Sequence, residues 1–560
     1  MASPGFDKRR AFFNRVAGKF GVSNKFPGTP ALERLGDEAY PMRLFEARAE
    51  DDRKPTPENY TMLQFFEWYV PADHKHWQRL LGALPELKKI GIDNIWIPPA
   101  CKASKPEGNG YDIYDLYDLG EFNAKGSVGT KWGTKEELLQ VCKKTDDLGI
   151  GLYFDAVLNH KAGADKWETT KVVKVDPNDR NRAISGPYDI DAWVGFDFPG
   201  RGDKYSNQEY HWYHFSATDY DQRTKETAIY RIEGENKHFA TDVDNERGNY
   251  DFLMFADLDY AHHEVRTDVK NWGPWVAKEL GLDGFRFDAI KATQHYSEGF
   301  LLEFVRNLDA KLGRDTFCVG EFWKTSRESL TAYLDKMHHK FTLFDAPLVE
   351  SFRRVSMTPR ADLRSVWDGT LTQVEPWNSV TLVMNHDTQP SQALQIDVAD
   401  WFIPLAHAFI LLRIDGYPCV FYGNIYGIKG GVPDDWRGPS AGGKIPDMVL
   451  ARKLYAYGDL NDYMENPNLI GWVRRGTWDR PNGCAVVLSN AEMGQIRMYV
   501  GTEHKGEVWT DIMGWESGEV HIGDHGFGMF PVGSCSVSIF VKKDAPGREK
   551  FGKFNDQIYA

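Results

Sequence analysis

Cysteine is scarce: the chain of 560 residues holds six, none of them in C-x-x-C spacing. That is too sparse for a disulfide scaffold or a zinc ribbon, so the six read as buried free thiols. Long hydrophobic runs are missing too. The longest, Trp401–Leu412, contains Pro404 and His407 and is too short to span a bilayer. Positive charge is not in excess: 67 Lys and Arg face 81 Asp and Glu, a net charge of −14, which argues against nucleic acid as a partner. No secretory signal is read at the start. Arg9-Arg10-Ala11-Phe12-Phe13 superficially resembles a twin-arginine signal, but Asn14, Arg15 and Lys19 interrupt any apolar stretch behind it. A soluble cytoplasmic protein, without a membrane span and monomeric, is the expectation.

Aromatic residues are plentiful, with 18 Trp, 25 Tyr and 33 Phe. Flat rings suit flat ligand faces such as sugars, but they also fill large cores, and composition alone favours the core. Residues 1–57 read as an N-terminal arm and linker ending in the charged, proline-bearing Asp51–Pro57. Within it Phe12, Val16 and Phe20 recur at i, i+4, i+8 among basic residues. That pattern fits a basic amphipathic helix meeting a membrane or partner, but a helix packed on the main body or a partly disordered arm is the favoured reading, and Gly18 and Gly21 weaken the helix.

From Thr61 onward, short apolar strands alternate with helical stretches. The strands are read at Thr61–Tyr69, Asn94–Ile97, Leu152–Leu158, Gly284–Phe287, Phe317–Val319, Phe341–Phe344, Val380–Met384 and Cys419–Tyr422. Strands apolar on both faces predict a parallel sheet, and eight of them predict a closed α/β TIM barrel, (β/α)8. Thr134-Lys-Glu-Glu137 reads as a capping box and Gly149 as the end of its helix. Roughly a hundred residues follow the third strand, far beyond an ordinary βα loop, so they must form an inserted domain. The expected division is 58–160 with 262–458 for the barrel, 161–261 for the insert, 459–543 for a C-terminal antiparallel β-sandwich, and 544–560 for a polar tail.

In such a barrel the C-terminal strand ends carry chemistry. Here they read Asp155…Asn159-His160, Arg286-Phe-Asp288 with Lys291, Gly320-Glu321-Phe-Trp323 and Asn385-His386-Asp387. Helix capping would account for any one of these acids. It does not account for three acids on three strands together with two histidines. Paired carboxylates are the machinery of glycoside hydrolysis. Asp288 fits the ionised nucleophile, because Arg286 shares its strand face and holds a permanent positive charge. Glu321 fits the protonated acid, since neighbouring negative charge and aromatic surroundings disfavour its ionisation. Asp387 would stabilise a positively charged sugar, with His160 and His386 on its hydroxyls.

Together these segments resemble four ordered signature regions of glycoside hydrolase family 13, the α-amylases. Met254-Phe-Ala-Asp257-Leu-Asp259-Tyr260 is similar to a fifth, in the form of the bacterial liquefying enzymes and their intracellular fungal relatives. Leu63–Tyr69, Gly110–Phe122, His211–Phe215 and Val420–Gly423 match as well, so the resemblance runs from about Asn59 to Val541. It implies Asp288 as nucleophile, Glu321 as acid/base and Asp387 as transition-state stabiliser, acting on an α-glucan or maltooligosaccharide. It also implies Tyr111 as the platform under the sugar at the cleavage point, Trp68 and Trp323 as further platforms, and Lys291 on the leaving side. The insert would be domain B, pinned to the barrel by one Ca²⁺ on Asn159, Asp251, Asp257 and the backbone carbonyl of residue 292. Relatives often have histidine there, and Ala292 removes that side chain from the leaving-side sugar. Ala261 and Ala240 stand where acids of a further metal cluster are expected, so one calcium is predicted. Met384 also replaces a usual acid, and nothing in the sequence accounts for it.

Two other readings stay open: an intracellular transglycosylase moving maltooligosaccharide units, and a non-catalytic glucan-binding protein. The first uses the same covalent intermediate. The second usually lacks a carboxylate, and none of the three is missing. Gly438-Pro-Ser440-Ala-Gly442 imitates a nucleophile elbow and Gly438–Lys444 a phosphate loop, but no buried strand precedes them and the P-loop hydroxyl is absent.

Overall fold

The computed structural model describes residues 55–291, 299–430 and 436–559. Most of the N-terminal arm, with its Phe12/Val16/Phe20 pattern, lies outside the described residues, as does Ala292.

Eight parallel strands close into a barrel: β1 (Met62–Gln64), β2 (Asn94–Trp96), β3 (Gly151–Ala156), β4 (Gly284–Phe287), β5 (Phe317–Gly320), β6 (Thr342–Phe344), β7 (Ser379–Thr381) and β8 (Tyr417–Phe421). Each pairs with its sequence neighbours, and β1 closes the ring against β8. Almost every strand residue is buried, because the interior packs one face and the helices cover the other. That double burial is why these strands read as apolar runs. The covering helices are α1 (His76–Ile90), α2 (Lys135–Leu148), α3 (His263–Leu280), α4 (Phe300–Leu312), α5 (Arg327–Lys336), α6 (Ala346–Met357), α7 (Ile403–Leu412) and α8 (Ile445–Tyr455). The Thr134 hydroxyl accepts from the Glu137 N–H while the Glu137 carboxylate accepts from the Thr134 N–H, and Gly149 ends α2 at φ 63°.

Between β3 and α3 the chain builds an antiparallel sheet. It leaves through His160–Lys161 and returns through Ala256–Leu258, two segments paired with each other. The C-terminal module sets a six-stranded antiparallel sheet over a two-stranded one, Gly494–Tyr499 paired with Phe527–Val532, with Val487, Met498, Trp509, Phe530 and Phe540 between them. Two of its strands do not read as strands from sequence. Leu460–Asn466 is mainly polar and nowhere fully buried, and Phe527–Val532 contains Gly528 and Pro531.

Two expectations need correction. Not every cysteine is buried: Cys142 is half-buried, and Cys535 is exposed in a turn at φ 48°. The C-terminal residues, polar by composition, pack against the barrel through Phe551, Phe554, Ile558 and Tyr559. The Tyr559 hydroxyl meets that of Tyr422 at 2.6 Å, and Arg79 and Lys429 both lie over its ring. Aromatic abundance serves the core first, since Trp77, Trp96, Trp132, Trp272, Trp472 and Trp509 are fully buried.

Candidate active site

Strand register brings the charged groups together. Arg286 on β4 stands opposite Asp155 on β3, and Phe287 opposite Gly320 on β5. Asp288 and Glu321 each follow directly on that last pair, so they emerge side by side from adjacent strands. Backbone bonds hold them there: Asp288 N–H donates to the Ala156 carbonyl at 3.0 Å, and Glu321 N–H to the Phe287 carbonyl at 2.9 Å. The buried Arg286 guanidinium donates to Asp155 at 2.8 Å, Asp288 at 2.7 Å and Glu321 at 2.7 Å. Burial opposes its charge, but Asp155 and then Glu321 hold it protonated. A rigid fork between two acids fixes their orientation as well as their charge.

Burial is the largest influence on both acids and pushes both up. Arg286 pulls each back down. Both carboxyls accept from the one Arg286 guanidinium, and the negative charge of Asp288 raises Glu321. Such an arrangement can hold one ionised and one protonated carboxyl.

Asp387 comes from the loop after β7, where the Asn385 side chain accepts from the N–H groups of Asp387 and Thr388. Burial, then Glu321, pushes its carboxyl well above the ordinary range. His386 faces it, Nε2 lying 3.3 Å from Oδ2. The His386 ring stacks on Tyr111 at 5.0 Å, and Trp68 is parallel to Tyr111 at 5.9 Å. The three rings make one flat wall. His160 donates from Nε2 to the Tyr111 carbonyl at 2.7 Å, and its buried Nδ1 has no partner among the described residues. Lys291 pairs with Glu246 at 2.8 Å over the Tyr250 ring. Trp323 lines a cleft that also contains Glu246. Lys291, expected on the leaving side, and Trp323, expected as a platform, therefore share Glu246 as a neighbour.

Asn159, Asp251 and Asp257 also converge. Asn159 donates to Asp257 at 3.0 Å, and Asp251 accepts from the Ala240 N–H at 2.9 Å. Burial, then the acids around it, pushes Asp251 up to about 7, and burial followed by Asp251 pushes Asp257 well up. Among the described residues neither acid pairs with a cation. Two buried carboxyls and an amide make an oxygen donor set that fits a hard dication. Asp259 differs, since Lys237 sits 2.6 Å from it and meets its charge. One further group, His214, His262 and Glu264, brings its ligating atoms within 4.8 Å of one another. It is nitrogen-rich, which does not suit calcium, and both ring nitrogens of His214 are already engaged, by the His211 N–H and by Glu264.

Sequence reasoning missed several residues of the site. Asp155 accepts from Trp96, Tyr111 and Arg286 at once, which makes it the anchor of the wall. Its signal was a lone acid in an apolar strand. Glu67 accepts from Gln389, the Tyr69 N–H and the Lys429 N–H, while Gln389 accepts from the Trp68 N–H. Those bonds tie the loops after β1, β7 and β8 together around Trp68.

A family profile described as "Alpha amylase, catalytic domain" matches residues 76–441. The chain is 46% identical over 488 residues to an alpha-amylase of Bacillus licheniformis, covering 87% of this chain and 94% of that one. It is 36% identical over 495 residues to a cytoplasmic alpha-amylase of Escherichia coli, covering 86% and 99%. Among solved structures, an alpha-amylase from Geobacillus thermoleovorans superposes with a TM-score of 0.56 at 18% identity, covering 86% of this chain and 98% of that one, a likeness of fold.

Proposed function

The chain belongs to the α-amylase family of glycoside hydrolases, and from that premise we propose that it hydrolyses internal α-1,4-glucosidic bonds of starch, glycogen or maltooligosaccharides with retention, through a covalent intermediate on Asp288. The observation that carries this reading is the side-by-side exit of Asp288 and Glu321 from β4 and β5, joined by one guanidinium. The Asp288 carboxylate attacks the anomeric carbon while Glu321 gives its proton to the departing glycosidic oxygen. Glu321, now ionised, takes a proton from water, whose oxygen attacks the same carbon and releases Asp288. Asp387 lies beside the charge that develops on the ring. Tyr111 and Trp68 offer flat faces to the sugar, His386 Nε2–H donates to a hydroxyl, and His160 Nδ1 accepts from one.

Asn159, Asp251 and Asp257 would hold one Ca²⁺ across the barrel–insert junction. Its contribution there is structural, a charge that neutralises two buried acids. A cytoplasmic location draws support from the Escherichia coli relative. Among the described residues, no helix is long and apolar enough to cross a membrane.

Proton NMR of the first products from a pure maltooligosaccharide tests the reading. The α-anomer should appear before mutarotation. A β-anomer would overturn retention. Products longer than the input, dominating at low substrate, would make the chain a transglycosylase, and no conversion would favour a binding protein.

A further inference from the structure

Gln64 is the one amide in β1, and it is buried. Its Nε2 lies 3.0 Å from Nδ1 of His386, and its buried Oε1 has no partner among the described residues. Strand β8 separates β1 from β7, so the side chain reaches past β8 to the loop after β7. An apolar side chain of similar length would fill this space without leaving a buried carbonyl unpaired. Folding alone gives no reason for the amide.

The reason lies at the far side of the imidazole. Burial, and then the Arg286 charge, push His386 well below the ordinary histidine range, so the ring is neutral with one proton. Nε2 faces the Asp387 carboxyl at 3.3 Å. Once Asp387 is ionised, as its role beside a cationic sugar requires, a bare nitrogen there would set lone pair against lone pair, so the proton belongs on Nε2. Nδ1 is then a bare acceptor, and the amide N–H of Gln64 is the group that complements it. Tyr111 and Trp68 stack parallel to the ring, within 6° and 4°, and hold its plane. They cannot choose its tautomer.

We propose that Gln64 is a positioning residue that locks His386 as the Nε2–H tautomer, so that the ring presents a donor to the sugar hydroxyl entering beside Asp387. This rests on the reading of His386 as a hydroxyl donor.

The test reads the tautomer directly. In full-length, calcium-loaded, substrate-free protein, ¹⁵N NMR of the histidine rings should show His386 protonated on Nε2, with the signal assigned by its loss in His386→Asn. Gln64→Glu offers Nδ1 only oxygens and should move the proton to Nδ1 or add a second one. With the melting temperature retained, kcat/KM should fall about 100-fold, the cost of one misplaced transition-state donor. Gln64→Leu should fall less, because it forbids neither tautomer. Nδ1 protonation in the wild type overturns the proposal without any variant, and so does a Gln64→Glu protein with unchanged tautomer and rate. Failure of the glycosidase reading would look different, as a wild-type protein that leaves glucans intact.

Discussion

The backbone N–H of Ala289 donates to Oε2 of Glu321 at 2.9 Å. To do so Ala289, directly after Asp288, adopts the left-handed region at φ 45°. The strain therefore aims a donor at the Glu321 carboxyl, directly beside Asp288. Ala289→Val should cost about 1–3 kcal/mol in urea unfolding, because a β-branched residue resists positive φ. Ala289→Gly adopts the same backbone freely and should keep its turnover. A valine variant as stable as the parent would show that the strain is absent.

Asp288→Asn should lower kcat by at least about 10⁴-fold while far-UV circular dichroism stays unchanged. The asparagine oxygen can still accept from Arg286, so the fold keeps its bond and only the nucleophile is lost. Appreciable residual hydrolysis would move the nucleophile elsewhere.

The pH profile has a definite sign. Burial, opposed by Arg286 and assisted by Asp288, holds Glu321 above its ordinary value. Catalysis needs it protonated, so activity is lost as pH rises through that elevated value, later than an unperturbed glutamate would allow. An acid raised by folding also makes stability decline as pH climbs from its unfolded pKa to its folded one. A basic limb of kcat/KM in the ordinary carboxylate range would contradict this.

Chelation should lower the melting temperature. Calcium at about 100 times its dissociation constant should add about 2.7 kcal/mol, and magnesium should restore less, since it demands a tighter octahedral cage. Asp257→Asn should abolish most of the response. Calorimetry with and without a chelator decides.

Tyr559→Ala should cost about 1–2 kcal/mol, the sum of two cation–π contacts of about 0.5–1 kcal/mol each on Arg79 and Lys429. Chemical denaturation with unchanged m-value would measure it.

Much of this architecture is legible in the sequence, for physical reasons. The barrel strands are apolar on both faces, which few other settings require, and their terminal acids stand out against that background. The pairing Phe287↔Gly320, which sets Asp288 beside Glu321, is invisible because register comes from the closed ring and not from either strand. Gln64 was missed because one amide in an apolar run carries no periodicity. The strand Leu460–Asn466 was hidden because Asn461, Asp462, Glu465 and Asn466 break up its apolar residues Leu460, Tyr463 and Met464. The docked C-terminal residues were hidden by dilution, a few aromatic rings among many charges.

The insert departs at His160 and rejoins through Leu258 by a ladder two residues long, in which His160 faces Asp257. Its two junctions therefore sit next to each other, and the segment can be exchanged as a cassette without threading either end through the ring. Any transplant must bring its own counterpart for Asn159, because the carboxylate that Asn159 meets travels with the excised piece.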